Sequence, residues 1–127
     1  MATRQDFTPG QVLTAAELDA VATAMIAINA QTGTTYTTVL ADDGKLITCS
    51  NASAIALTIP PNSSVAYGIG TQINIAQLGA GQVTITAGAG VTLNSAGAKL
   101  KLSAQYAVAT CVKTDTNTWF VVGSLSA

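Results

Sequence analysis

The sequence contains no histidine, and this gap removes more chemistry than any other. Imidazole is the commonest general base, the usual partner of an activated nucleophile and the commonest metal ligand. Charge is nearly as scarce. Asp, Glu, Lys and Arg together make up 9% of the 127 residues, against about 25% in an average soluble protein. The five cations, Arg4, Lys45, Lys99, Lys101 and Lys113, are scattered and form no basic run. A nucleic-acid binder needs several phosphate contacts, so nucleic acid is not an expected partner. No stretch of about 18 apolar residues occurs, so no membrane span is expected. The opening residues MATRQDFTPG lack the apolar core of a secretory signal. Synthesis in the cytoplasm, with the protein staying there or leaving by cell lysis, is the expectation.

The chemistry that remains is thin. Cys49 and Cys111 lie far apart in apolar, strand-like runs. In a reducing compartment they read as two buried thiols, with a disulfide or a reactive thiol as alternatives. Without histidine they make a poor zinc site. Asp42, Asp43 and Asp115 are the candidates for paired-carboxylate chemistry on sugars. Asp42-Asp43-Gly44 reads better as hairpin turn chemistry, and Asp115-Thr116-Asn117 is a turn of the same kind. Neither has the alternating oxygen ligands of a calcium loop. Ser63-Ser64 has no base near it in the sequence. Gly68-Ile69-Gly70 starts like a dinucleotide fingerprint but lacks the third glycine and the following helix. Trp119 and Tyr106 could offer a stacking platform for sugars, but both lie in strand-like runs and are expected in the core. No catalytic, cofactor or metal residue is therefore assigned, and the chain is expected not to be an enzyme.

What the sequence does have is Ala, Thr, Ser, Asn, Gln and 11 Gly. Ordinary domains use Lys and Glu to stay soluble and to blunt sheet edges. A neutral, hydroxyl-rich surface is expected to be covered, either by partners or by copies of the same chain. Residues 1–12 read as an extended arm, with Phe7 ahead of the Thr8-Pro9-Gly10 turn. Phe7 packs either on its own domain or into another chain. Residues 14–29 read as a helix. Thr14 and Glu17 form a capping box, and Leu13 with Leu18 forms a hydrophobic staple. The apolar stripe Leu18, Val21, Met25 and Ile28 is a short a/d seam. A helix of this length is marginal alone and must dock on its own sheet or against symmetry mates, the second being preferred. Phe7, Leu13, Leu18, Val21, Met25 and Ile28 are therefore the candidate partner and oligomer contacts.

From Thr34 onward the apolar period switches to two, with turn signals every eight to twelve residues. Nine strands are expected: 35–40, 45–49, 54–59, 71–77, 82–87, 91–93, 99–103, 106–113 and 118–122. Alternation is clean at Ile73 and Ile75, at Val83 and Ile85, and at Leu100 and Leu102. The expected fold is mainly β: an antiparallel β-sandwich or barrel-like domain of about 8–9 short strands, preceded by one N-terminal helix. Residues 1–33 form the attachment and oligomerisation segment, and 34–127 the β-domain. The Gly79-Ala80-Gly81 motif recurs nine residues later as Gly88-Ala89-Gly90. Two copies are too few for a solenoid, and a hairpin or meander accounts for them.

The stretch from Phe7 to Leu18 resembles the opening of many bacteriophage tail-fibre and virion-surface proteins. Residues 36–45, 57–62 and 68–73, with Gly79-Ala80-Gly81 and Trp119, resemble a β-domain found in such proteins. The resemblance covers most of the chain, and its motifs are structural. It implies a virion component, usually a homotrimer, whose N-terminal part attaches to the particle. Together with the composition, it points to a small trimeric capsid decoration or cement protein whose partners are itself and a major capsid protein or a tail protein. A short tail-fibre or tail-tip adhesin binding a host glycan or protein is the alternative.

Overall fold

The computed structural model describes residues 27–127. Among these residues eleven strands carry the fold. They are β1 (Ile28–Gln31), β2 (Thr35–Thr37), β3 (Leu46–Cys49), β4 (Ile55–Ile59), β5 (Gln72–Gln77) and β6 (Val83–Ala87), followed by β7 (Thr92–Ser95), β8 (Lys101–Leu102), β9 (Val108–Asp115), β10 (Thr118–Gly123) and β11 (Leu125–Ser126). They form two sheets. The large sheet has the order β1-β3-β5-β9-β10-β7, and the small sheet β11-β8-β6-β4-β2. The chain is thus mainly β, and all nine expected strands are present, with ends shifted by up to three residues.

The strand pairing departs from the antiparallel expectation. β1, β3 and β5 stack parallel in the large sheet, while β2, β4 and β6 stack parallel in the small one. The chain therefore winds between the sheets three times, as a short solenoid. Ile47 sits beside Ile75 and Leu57 beside Ile85, so the second and third turns keep one 28-residue offset in both sheets. After β6 the winding stops. β9 runs antiparallel along β5, with β10 antiparallel to β9, while β8 closes antiparallel on β6 and β11 on β8.

The alternation that suggested hairpins has a different origin. Parallel sheets are usually covered on both faces and read as continuous apolar runs. In this solenoid each sheet has one face inside and one outside, so parallel strands alternate as antiparallel ones do. The Asp42-Asp43-Gly44 turn accordingly joins β2 of one sheet to β3 of the other and is not a hairpin. The Asp115-Thr116-Asn117 turn does close a hairpin, between β9 and β10.

The two inner faces meet in one apolar core of Ile, Leu, Val, Cys and Trp side chains, among them Ile47, Ile55, Leu57, Ile73, Ile75 and Trp119. Trp119 packs edge-on against Tyr67, with ring centroids 5.4 Å apart. At the first turn the interior changes character. The inward positions of β1 are Asn29 and Gln31, paired with Ile47 and Cys49. Asn29 Nδ2 donates to the Tyr36 hydroxyl (2.9 Å) and to Asp42 Oδ1 (2.8 Å). The Tyr36 hydroxyl donates to Asp42 Oδ2 (2.6 Å), as does the Val39 amide (2.9 Å). The apolar core thus ends in a hydrogen-bonded polar plug, which satisfies a carboxylate that is 1% exposed.

Among the described residues there is no α-helix, only two short 3-10 turns at Leu40–Asp42 and Ala96–Ala98. The helix expected over 14–29 lies outside the described residues except for its end. There, Ile28 and Asn29 belong to strand β1. The three-residue step from Met25 to Ile28 mimicked a helical stripe. Asn29 and Gln31 instead alternate with Ile28 and Ala30 across a strand bonded to β3. The proposed division at residue 33 leaves β1 on its N-terminal side, although β1 pairs within the large sheet.

Candidate interaction surface

The ionisable and nucleophilic side chains of the interior are occupied by the fold. Lys113 is 2% exposed, and its Nζ donates to Asn62 Oδ1 (2.7 Å) and to the Tyr67 carbonyl (2.8 Å). This pins the long connection between β4 and β5 onto β9. Asp42 is held by the three donors already described. Neither pairing was visible from sequence, because charged residues are ordinarily assigned to the surface. Cys49 and Cys111 are both free and fully buried. Burial pushes the Cys49 thiol up to about 11 and the Cys111 thiol up to about 12, so both stay protonated and unreactive at neutral pH. The Tyr36 hydroxyl is raised to about 12, first by burial and then by its hydrogen bond to Asp42. Among the described residues no three His, Cys, Asp or Glu side chains come together as a metal site would require.

Trp119 is in the core as expected, whereas Tyr106 is not. Tyr106 is 71% exposed, and its backbone adopts φ +70° in the turn before β9. Few non-glycine residues take up that conformation. Its amide donates to the Gln77 carbonyl (2.6 Å), which ties the turn to the end of β5.

The outer faces of the two sheets differ sharply. On the small sheet the outward positions are Thr35, Thr37, Ala56, Thr58, Thr84 and Thr86, with Lys101 beside Thr84. On the large sheet, register places Ile28 beside Leu46, and Leu46 beside Asn74. Asn74 then faces Thr110, and Thr110 faces Val122. The neighbouring row runs from Gln72 through Val112 and Phe120 to Asn94. No charged side chain stands in either row. Ile28, Val108, Phe120 and Val122 are large apolar groups between 41% and 57% exposed. Val108, Phe120 and Val122 neighbour one another on β9 and β10, while Asn74 and Thr110 separate Ile28 from them; an exposed apolar cluster of this kind is a candidate interaction site.

A groove of about 520 Å³ adjoins one edge of this face. It opens where β7 ends at Ser95 while β10 continues to Gly123, and Asn94, Lys99, Phe120 and Leu125 line it. Gly123, at φ +140°, has no room for a side chain, because a Cβ there would stand 2.5 Å from the Val108 carbonyl oxygen.

Of the contacts expected from sequence, Phe7, Leu13, Leu18, Val21 and Met25 lie outside the described residues. Ile28 is on the outer face of the large sheet, 57% exposed. Val108, Phe120 and Val122 were missed as contacts. The only signal was that apolar residues occupy both phases of the strand period in 108–112 and 119–122. The elements together define a three-turn, two-sheet β-solenoid closed by antiparallel strands, with one apolar outer face. No protein-family model, curated protein or solved structure matches the chain.

Proposed function

We propose that this chain is a non-catalytic structural protein of a bacteriophage particle: a small homotrimeric capsid decoration protein, made in the host cytoplasm and attached to the virion through its N-terminal arm. The observation that carries this is the uncharged outer face of the six-stranded sheet, with Val108, Phe120 and Val122 exposed on it. Apolar groups left in water on so broad a face are stabilised when a neighbouring protein covers them, at roughly 25 cal/mol per Å² removed from water. No charge on the face has to be desolvated in the process. Many copies with modest contacts attach firmly through multivalency. Quantitative mass spectrometry of purified particles tests the proposal, with hundreds of copies per virion expected. A few copies to some tens would transfer the protein to the tail.

The groove beside Phe120 favours a second role, that of a short tail-fibre or tail-tip adhesin. An exposed aromatic ring beside Asn94 and Lys99 suits a polar host-surface ligand such as a glycan. Glycan-array binding by the purified protein, abolished by Phe120→Ala, would support it.

A further inference from the structure

We propose that the outer face of the large sheet is the surface on which copies of this chain meet, with three copies turning the face toward a shared axis. This rests on the proposed function for the setting only, and it names the occupant of the face as a second copy of the chain.

Four observations carry it. First, the outward rows of the face carry no charge from Ile28 on β1 to Asn94 on β7, and Asp115 at the turn end of β9 and Lys99 beside the groove stand at its rim. A surface of one sign repels its own copy, whereas a neutral apolar one meets itself without stranding a charge. Second, the two outer faces of the same molecule are unlike. The small sheet shows water a row of threonines and Lys101, and the large sheet shows it Phe120, Val122 and Val108. A protein that stays alone in water has no use for that asymmetry. Third, Ile28, one of the contacts that the sequence marks for self-association, stands exposed on the outward side of β1. It projects from this face and not from the other.

The fourth observation is size. Six strands at about 4.8 Å spacing and five residues at about 3.3 Å each give a face of roughly 24 by 16 Å. That is roughly 400 Å² in projection, about half of the ~800 Å² that each partner gives to a standard interface. The face can thus supply about half of a standard contact on each partner. The edges of the face do not oppose close approach. β1 (Ile-Asn-Ala-Gln) and β7 (Thr-Leu-Asn-Ser) carry none of the charges or prolines that ordinarily blunt a sheet edge.

Light scattering on the full chain after size exclusion tests the proposal. The wild-type protein should run at a multiple of its 12.7 kDa chain mass. The double variant Phe120→Lys/Val122→Lys should run at the single-chain mass with an unchanged far-ultraviolet spectrum. The matched double variant on the other face, Ala56→Lys/Thr86→Lys, should keep the wild-type mass. If the first pair misfolds, Phe120→Asn serves instead, since an exposed Asn already stands beside it at position 94. It should weaken association at least tenfold in a dilution series. A monomeric wild-type protein at high concentration overturns the proposal. So does a folded double variant of wild-type mass, or a Phe120→Asn variant of unchanged affinity. A monomer found in solution at hundreds of copies on particles would overturn this proposal and leave the decoration role standing. An oligomer found at few copies would do the reverse.

Discussion

At the scale of single residues, protons distinguish the folded chain from the unfolded one. In an unfolded chain cysteine ionises near about 8.5 and tyrosine near about 10. Folding raises Cys49 to about 11, and Cys111 and Tyr36 to about 12, in each case mainly through burial. A raised value means that the folded state holds its proton longer. The native advantage is therefore intact below about pH 8.5 and is lost as pH climbs toward 12, because only the unfolded chain releases these protons. Urea midpoints should be flat between about pH 6 and 8 and should fall steadily above about pH 9. A thiol reagent at pH 8 should label neither cysteine in the native protein and both in denaturant. Rapid native labelling of Cys49 would show that the interior opens far more readily than its burial indicates. The core role of Trp119 was legible because it lies in an apolar strand run. Tyr106 was not, since its left-handed backbone places it in a turn that its neighbours do not announce. Lys113 was illegible as an interior group because its partners are distant in sequence, and Asp42 because Asp-Asp-Gly reads as an exposed turn even though its donors are close by. Lys113 reaches Asn62, and Asp42 takes donors from Asn29, Tyr36 and Val39.

At the scale of elements, the positions of nine strands could be read from alternation and turn chemistry, but their pairing could not. A strand with one inner and one outer face looks the same in a hairpin and in a solenoid turn. The 28-residue offset between turns is hidden because it conserves only the apolar character of inward positions, as at Ile55 beside Val83. The repeated Gly-Ala-Gly motif was a real signal read at the wrong period. Its copies flank β6 and do not stack on each other. Each copy stacks on the preceding turn instead, Gly88 of the second against the Ile59 carbonyl. A Cβ on Gly79 would stand 2.6 Å from the Asn51 amide nitrogen, and one on Gly81 would overlap the Ser53 carbonyl. Only glycine lets the two corners come this close. Gly81→Ala should therefore force the corner apart. It should cost more than about 1 kcal/mol, which lowers the melting temperature by at least roughly 4 °C in a domain of this size. Gly90→Ala is the informative comparison in the second copy. No atom lies within 4 Å of a Cβ there, so its cost comes from φ +78° alone and should be the smaller of the two. Equal losses would mean that backbone conformation, and not the stacking of turns, sets the requirement at Gly81.

At the scale of the whole molecule, the two ends of the solenoid are finished differently. On the far side, β9 and β8 run antiparallel along the last turn and end the winding within the chain itself. On the near side, β1 and β2 each pair on one side only, and the interior closes with the Asn29, Tyr36 and Asp42 plug. That plug completes the core with side-chain hydrogen bonds contributed by residues 29–42 alone. The solenoid should therefore fold without the arm, and the arm should matter for attachment only. Removing residues 1–12 should leave the far-ultraviolet spectrum and the cooperative unfolding of the β-domain unchanged while abolishing binding to particles that lack the protein. Because Ile28 and the outer face of the large sheet remain, the truncated chain should keep its oligomeric mass. Retention of particle binding would remove the arm from the attachment site and shift that role to the β-domain. Loss of cooperative unfolding would show instead that the near end of the solenoid depends on residues 1–12, and that the polar plug is not sufficient to close it.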